Sequence, residues 1–260
     1  VPLADRFDGL LVDLDGVVWI GREAVPGSPE ALRALLEAGK RIVFVTNNPG
    51  RPPGAYAERL RELGVAVGSE RIVTAGMVAA RLAGEAAGEG GSAFVIGAPA
   101  LKEMVAATGT RLLEGDEGEA ADVVVVSGHK GFDYGELKTA KFALDRGARL
   151  FATSHDPTMP FPGGELPGTG AVLAAVEVAS GQRATIAGKP ERHLFEIAIE
   201  AAGGGRLAMV GDRISSDVDG GRAAGLETVL VLSGTSSREQ AEAADPPPDH
   251  VLPDLAALIK

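Results

Sequence analysis

The 260-residue sequence has no cysteine, one tryptophan and few other aromatics, 4% in all. Without cysteine there is no disulfide framework and no thiolate metal site, and such a chain suits a reducing compartment. With so few rings, the core falls to Ala, Val, Leu and Ile, and 45% hydrophobic residues make a sizeable one. No run approaches the roughly 20 apolar residues that span a bilayer. The opening stretch, Val1 to Val12, has neither a basic segment nor a long apolar one and does not read as a signal peptide. Positive charge is also scarce. A formal net charge of −11 argues against a general nucleic-acid or anionic-membrane binder. A soluble, cytoplasmic protein is the expectation.

What the chain does have is alternation. Short β-branched runs and helical segments follow one another almost from end to end. Leu10-Leu11-Val12 forms a strand core ending in Asp13. Ser28-Pro29 reads as an N-cap and first turn, with Leu32, Leu35 and Leu36 on one helix face and Gly39 closing it. Strands are expected at 42–45, 71–74, 93–96, 122–126, 148–152, 184–187, 206–210 and 228–232. Helices are expected at 54–63, 99–107, 133–145, 169–180, 190–202 and near 253–259. Near-continuous apolar strands alternating with helices imply an α/β fold with parallel sheet covered on both faces. There are too many such units for one five- or six-stranded sheet, so a second domain is expected. The Gly/Glu-rich stretch 84–92 and Ser180-Gly181-Gln182 are soft places that bound it. The expected division is a core of 1–78 and 184–260 with an insert of 79–183.

Ligand sites in open α/β sheets lie beyond the carboxyl ends of the strands. The residues there are Asp13-Leu14-Asp15-Gly16, Thr46-Asn47-Asn48, Gly188-Lys189-Pro190 and Gly211-Asp212-Arg213, with Asp217 soon after. Each alone is weak: an Asp at a strand end is commonly a turn former, and Asp212 could simply cap the next helix. Together they make a phosphoryl-transfer kit. One carboxylate attacks phosphorus, and a second, two residues on, serves as acid and then base. Further carboxylates hold a hard divalent cation, while a lysine and short hydroxyl or amide donors bind phosphate oxygens. Gly16 lets the chain turn sharply with both Asp side chains on one side.

In their order along the chain, these motifs resemble the haloacid dehalogenase-like phosphatases. Asp13-Leu14-Asp15-Gly16-Val17-Val18-Trp19 and Pro167-Gly168-Thr169-Gly170 resemble the NagD and 4-nitrophenylphosphatase-like branch. The resemblance implies a Rossmann-like parallel sheet core with an inserted α/β cap domain that carries substrate specificity. It implies Asp13 as nucleophile, Asp15 as general acid/base, and Mg²⁺ held by Asp13, the Asp15 carbonyl and Asp212, with Asp217 supporting directly or through water. Thr46, Asn47 and Lys189 would bind phosphate, with Asn48 and Arg213 in support. A specificity loop falls at Thr153 to Pro160, where Ser154 and His155 are the candidate substrate contacts. The loop departs from the family pattern at Ser154, often Asn, and His129 stands where many members carry Asp. His129 is expected to be structural, and Trp19 to pack against the cap. The implied partner is a small phosphorylated metabolite: glycerol phosphate, phosphoglycolate, a sugar phosphate, pyridoxal phosphate or a nucleotide. The family also suggests a homodimer through the cap. A phosphotransferase or mutase with the same intermediate, and a non-catalytic phosphoacceptor, are the alternatives.

Overall fold

The computed structural model describes residues 1–161 and 164–260. In chain order it begins with β1 (Gly9–Asp13), β2 (Trp19–Ile20), β3 (Glu23–Ala24), α1 (Ser28–Glu37), β4 (Arg41–Thr46), α2 (Pro53–Glu62) and β5 (Ile72–Thr74). Next come α3 (Ala75–Ala87), β6 (Ser92–Ile96), α4 (Pro99–Ala106), β7 (Arg111–Leu112), β8 (Val123–Val126), α5 (Tyr134–Asp145) and β9 (Arg149–Ala152). The hairpin strands β10 (Thr158–Phe161) and β11 (Gly164–Pro167) lead to α6 (Thr169–Ser180), β12 (Thr185–Ile186) and α7 (Arg192–Ala202). The chain ends with β13 (Leu207–Gly211), α8 (Asp219–Ala223), β14 (Glu227–Val231), α9 (Arg238–Ala243) and β15 (His250–Leu252). The chain divides into two units. The first comprises Val1–Thr46, Pro53–Val73 and Lys189–Lys260, and the second Asn47–Pro52 and Thr74–Gly188.

The first unit is built on a six-stranded sheet in the order β15-β14-β13-β1-β4-β5, parallel from β15 to β4. Every residue of β1 and β13 is buried, as strands covered on both faces must be. On one face Leu10, Val12 and Phe44 pack with Leu32 and Leu35 of α1, Tyr56 and Leu60 of α2, and Leu255. Because side chains alternate along a strand, Leu11 and Val43 turn to the other face, where α7 packs on β1 and β4. The second unit has its own five-stranded parallel sheet, β12-β9-β8-β6-β7. Val124, Val126, Ala140, Leu144, Leu173 and Val176 centre its core.

Several local expectations are corrected. Ser28 does not cap α1: Gly27 holds that place, in the left-handed region, and the Ser28 hydroxyl donates to the Val17 carbonyl at 2.8 Å. The stretch expected to be soft from 84 begins inside α3, an Ala-rich helix that the apolar periodicity does not reveal. It is capped by Thr74, whose side chain accepts the Met77 N–H at 3.1 Å. The last turn, Leu255–Ile259, is 3₁₀ rather than α-helical. The β10–β11 hairpin, the β2–β3 hairpin, α8, α9 and β15 are further elements. Of these, α9 carried a legible signal, the capping box of Ser237 and Gln240.

Leu10 is fully buried at the middle of β1, so Leu10→Ala leaves a cavity in the first unit's core. Urea denaturation should show a loss of about 2–5 kcal/mol with the denaturant slope unchanged. A change under 1 kcal/mol would mean that this core readily collapses around the gap.

Candidate active site

The sheet order reverses between β1 and β13: β1 continues to β4 on one side, while β13 leads to β14 on the other. Connections leave in opposite directions from such a point, and a crevice opens beyond the strand ends. Asp13 closes β1 and Asp212 directly follows β13, so both carboxylates stand at this switch point.

Asp13 is followed by a tight turn. Gly16 sits at φ +88°, a region that favours glycine, and donates its N–H to the Trp19 carbonyl at 2.7 Å. The turn brings Trp19 back to Asp15, whose Oδ1 accepts the indole N–H at 3.0 Å. On the other side, the Thr46 hydroxyl lies 3.5 Å from Asp15 Oδ2. Trp19 is itself held firmly. It is fully buried, lies parallel to the Tyr56 ring at 6.4 Å, and has the Arg59 guanidinium 3.9 Å from its ring centre. Its described partners therefore include α2 of its own unit, a contact set the sequence reading did not anticipate.

Lys189 is the positive centre. Its Nζ lies 2.8 Å from Asp13 Oδ1 and 2.6 Å from Asp217 Oδ1, with all three side chains buried. Asp217 sits on a π-helical turn, Ile214–Val218, and its Oδ2 accepts the Arg213 backbone N–H at 3.0 Å. π turns of this kind occur often at functional sites. Asp212 is not a helix cap. Its Oδ2 accepts the Thr235 N–H at 2.6 Å.

The electrostatics follow from burial. Dehydration pushes the Asp13 carboxyl well above its usual range; Lys189 pulls it back in part, while Asp217 and Asp212 push it further up. Asp212 is likewise raised, first by burial and then by the charge of Asp217. Burial works against a charge on Lys189 too, but Asp13 and Asp217 outweigh it and hold the ammonium above its ordinary range. Oxygens of Asp13, Asp212 and Asp217 all come within 4.8 Å of one another. Three buried carboxylates against one ammonium leave an excess of negative charge that a hard cation would neutralise. An all-oxygen set of carboxylates suits Mg²⁺.

Two family models match the chain: haloacid dehalogenase-like hydrolase over residues 10–111 and HAD-hydrolase-like over residues 186–258. Chronophin from Bos taurus is 39% identical over 252 residues, covering 92% of this chain and 85% of the relative. The chain belongs to the haloacid dehalogenase-like hydrolases. A magnesium complex of glycerol phosphate phosphatase from Mycobacterium tuberculosis superposes with a TM-score of 0.91 at 34% identity, covering 100% of this chain and 78% of that one. A p-nitrophenyl phosphatase from Archaeoglobus fulgidus gives 0.88 at 30% identity, covering 97% and 98%. Within the family the chain is a phosphatase with a Rossmann-like parallel core and an inserted α/β cap domain. The magnesium of the Mycobacterium tuberculosis neighbour is a cation that the Asp13, Asp212 and Asp217 cluster of this chain could hold. Among the described residues, no helix is long and apolar enough to cross a membrane.

Of the residues singled out in the sequence, the first unit gathers Asp13, Asp15, Thr46, Lys189, Asp212 and Asp217. Asn47, Asn48, Ser154 and His155 belong to the second. There the Asn47 amide donates to Asp156 at 2.9 Å, and Asn48 Oδ1 accepts the Gly50 N–H at 3.0 Å. Ser154 is buried, its hydroxyl accepting the Asp156 N–H at 3.3 Å, and His155 is exposed. The expected loop of 153–160 is irregular only as far as 157, because Thr158 opens β10. His129 is structural: Gly131 donates to its Nδ1, which leaves Nε2 to donate to Glu136 at 2.9 Å. What the sequence reading missed is the Ser233-Gly234-Thr235-Ser236 segment behind Asp212. Its signal was a Gly between hydroxyl residues just past a strand end.

Asp212's raised carboxyl means that its charge opposes folding. Any stability it contributes is present at acid pH and is lost as pH rises through the raised value. Asp212→Asn keeps an acceptor for the Thr235 N–H but removes that charge. The variant without metal should melt higher than the parent at neutral pH, and it should lose most of the parent's gain in melting temperature on adding Mg²⁺. A full Mg²⁺-dependent gain in Asp212→Asn would remove Asp212 from the cation's ligands.

Proposed function

We propose that this phosphatase hydrolyses a small-molecule phosphomonoester through an aspartyl phosphate on Asp13. The observation that carries the reading is Asp13 at the switch point, its Oδ1 held by Lys189 Nζ at 2.8 Å, with Asp15 two residues on. With Oδ1 held, Asp13 Oδ2 attacks phosphorus as the bond to the leaving oxygen breaks. Asp15 gives its proton to that oxygen. In the second half, Asp15 takes a proton from water, the water oxygen attacks phosphorus, and the acyl phosphate P–O bond breaks. Inorganic phosphate leaves and Asp13 returns as the carboxylate. Asp13, the Asp15 carbonyl and Asp212 would hold Mg²⁺, which would supply the charge neutralisation that lets an anionic nucleophile meet an anionic phosphate. Asp217 anchors Lys189 through Oδ1, accepts the Arg213 N–H on Oδ2, and would support the metal directly or through water. Lys189, Thr46 and the Asn47 backbone bind phosphate oxygens, with Asn48 and Arg213 in support.

These core groups address only phosphate and metal, which all candidate substrates share. We therefore assign the leaving group's recognition to the inserted domain, with expected bounds of 79–183, and chiefly to the segment from Thr153 to Pro160. Glycerol phosphate heads the panel because glycerol phosphate phosphatases are among the relatives, followed by phosphoglycolate, sugar phosphates, pyridoxal phosphate and nucleotides. Absence of cysteine suits the cytoplasm, where we place the protein. The inserted domain exposes Tyr134, Phe142, Met159 and Val178, and we place homodimer formation there.

Asp13→Asn should abolish turnover with the fold intact by circular dichroism, because the amide is nearly isosteric but a poor nucleophile. Substantial activity in a mass-verified preparation would falsify the covalent route. Asp15→Asn should slow enzyme phosphorylation by alkyl phosphates about 10²-fold or more, and by aryl phosphates much less, since only poor leaving groups need the proton. Equal losses for both esters in single-turnover measurements would take the leaving-group role from Asp15. Substitution of His155 or Met159, both exposed, should reorder kcat/KM across the panel by about tenfold or more with phosphate inhibition unchanged. An unchanged order would move specificity out of this segment.

A further inference from the structure

The segment after β14 takes no part in the chemistry described so far, yet it is hydrogen-bonded to the two turns that form the site, the Thr235 side chain to Asp212 included. Ser233 donates its hydroxyl to the Gly16 carbonyl at 2.7 Å. Thr235 donates its N–H to Asp212 Oδ2 at 2.6 Å, and Ser236 donates its N–H to the Asp212 carbonyl at 3.0 Å. The Ser236 hydroxyl, buried, accepts the Ile214 N–H at 3.3 Å. Gly234 lies so close that a Cβ there would collide with Asp212 Oδ2, and a Cβ on Gly16 would collide with the same oxygen. That oxygen is thus seated between two glycine α-carbons and a backbone amide. This seat opposes rotation of the carboxylate, and with it the turning of both oxygens together toward one point.

One-oxygen ligation matters for the choice of cation. Mg²⁺ demands near-octahedral geometry at short distances and takes carboxylates through single oxygens. Ca²⁺ accepts more ligands, at longer range, and readily takes a carboxylate through both. We propose that the Ser233–Ser236 loop is a metal-selectivity element, confining Asp212 to a single ligating oxygen and so favouring Mg²⁺ over Ca²⁺. The proposal rests on the Mg²⁺-dependent reading above. Ser233, Thr235 and Ser236 are positioning residues, acting on the metal through Asp212 and through the turn that carries Asp15.

The test is calorimetric titration of chelator-stripped protein with Mg²⁺ and separately with Ca²⁺, which needs no turnover. The parent is compared with Gly234→Ala and with the double variant Ser233→Ala, Ser236→Ala. Gly234→Ala pushes the carboxylate from its seat. The double variant keeps every backbone group and unties the loop on both sides, so it serves even if Gly234→Ala does not fold. Mg²⁺ affinity should fall about 10-fold or more in both, within the range for groups that orient metal ligands, and Ca²⁺ affinity should fall less. The ratio of the two affinities therefore shrinks. A merely structural loop would lower the melting temperature or weaken both cations by one factor, and an unchanged ratio in the folded variants overturns the proposal. A parent that binds no Mg²⁺ at all would overturn the metal-dependent reading itself.

Discussion

The bridge from Lys189 to Asp13 and Asp217 is the interaction on which the rest of the site depends. It joins the end of β1, the residue that opens the third chain segment of the first unit, and the π turn after β13. Isolated burial of any of these charges would cost several kcal/mol, and that cost is offset only while the three stay together. Arg213's backbone N–H fixes the far oxygen of Asp217, so the lysine's position is set by a carboxylate that is itself held at both ends. The proposed nucleophile, Asp13, would gain from this pre-set environment, because orientation achieved during folding need not be achieved again during reaction.

Excess negative charge is the other half of the design. Asp13 and Asp212 are both pushed upward by burial and by their acidic neighbours, so the cluster is incomplete as a purely protein object. A divalent cation would complete it. The acidic sequence as a whole says nothing of this, since the net charge of −11 is spread over the surface, while the site's charge is set within a few ångströms. Around the cluster, the glycines and hydroxyl residues do quiet work. Gly16 makes the turn and gives Asp212 room, and the loop after β14 ties both turns together.

Much of this was legible beforehand, for reasons that differ from residue to residue. Strands β1, β4 and β13 are read easily because burial on both faces makes them continuous apolar runs ending abruptly in Asp, Thr or Gly-Asp. Helix α3 is harder, because an Ala-rich helix has little contrast between its faces. Ser28 looks like a cap from its neighbours alone, but a tertiary partner, the Val17 carbonyl, takes its hydroxyl. The 153–160 segment reads as loop because its Pro and polar residues hide the hairpin pairing of β10 with β11.

By itself the sequence determined which acids, which lysine and which small residues stand at strand ends, and so pointed to the reaction class. Those assignments depend on residue type and order, which local patterning exposes. Only the tertiary structure decided how the charges are shared and held: that Lys189 binds Asp13 and Asp217 together, that Trp19 donates to Asp15, and that Asp212 has one oxygen seated among Gly16, Gly234 and Thr235. With the Ser233–Gly16 hydrogen bond, these contacts join segments up to 217 residues apart in the chain, and their strength comes from burial in common. No local pattern can encode a distance or a dielectric that exists only after the chain has folded.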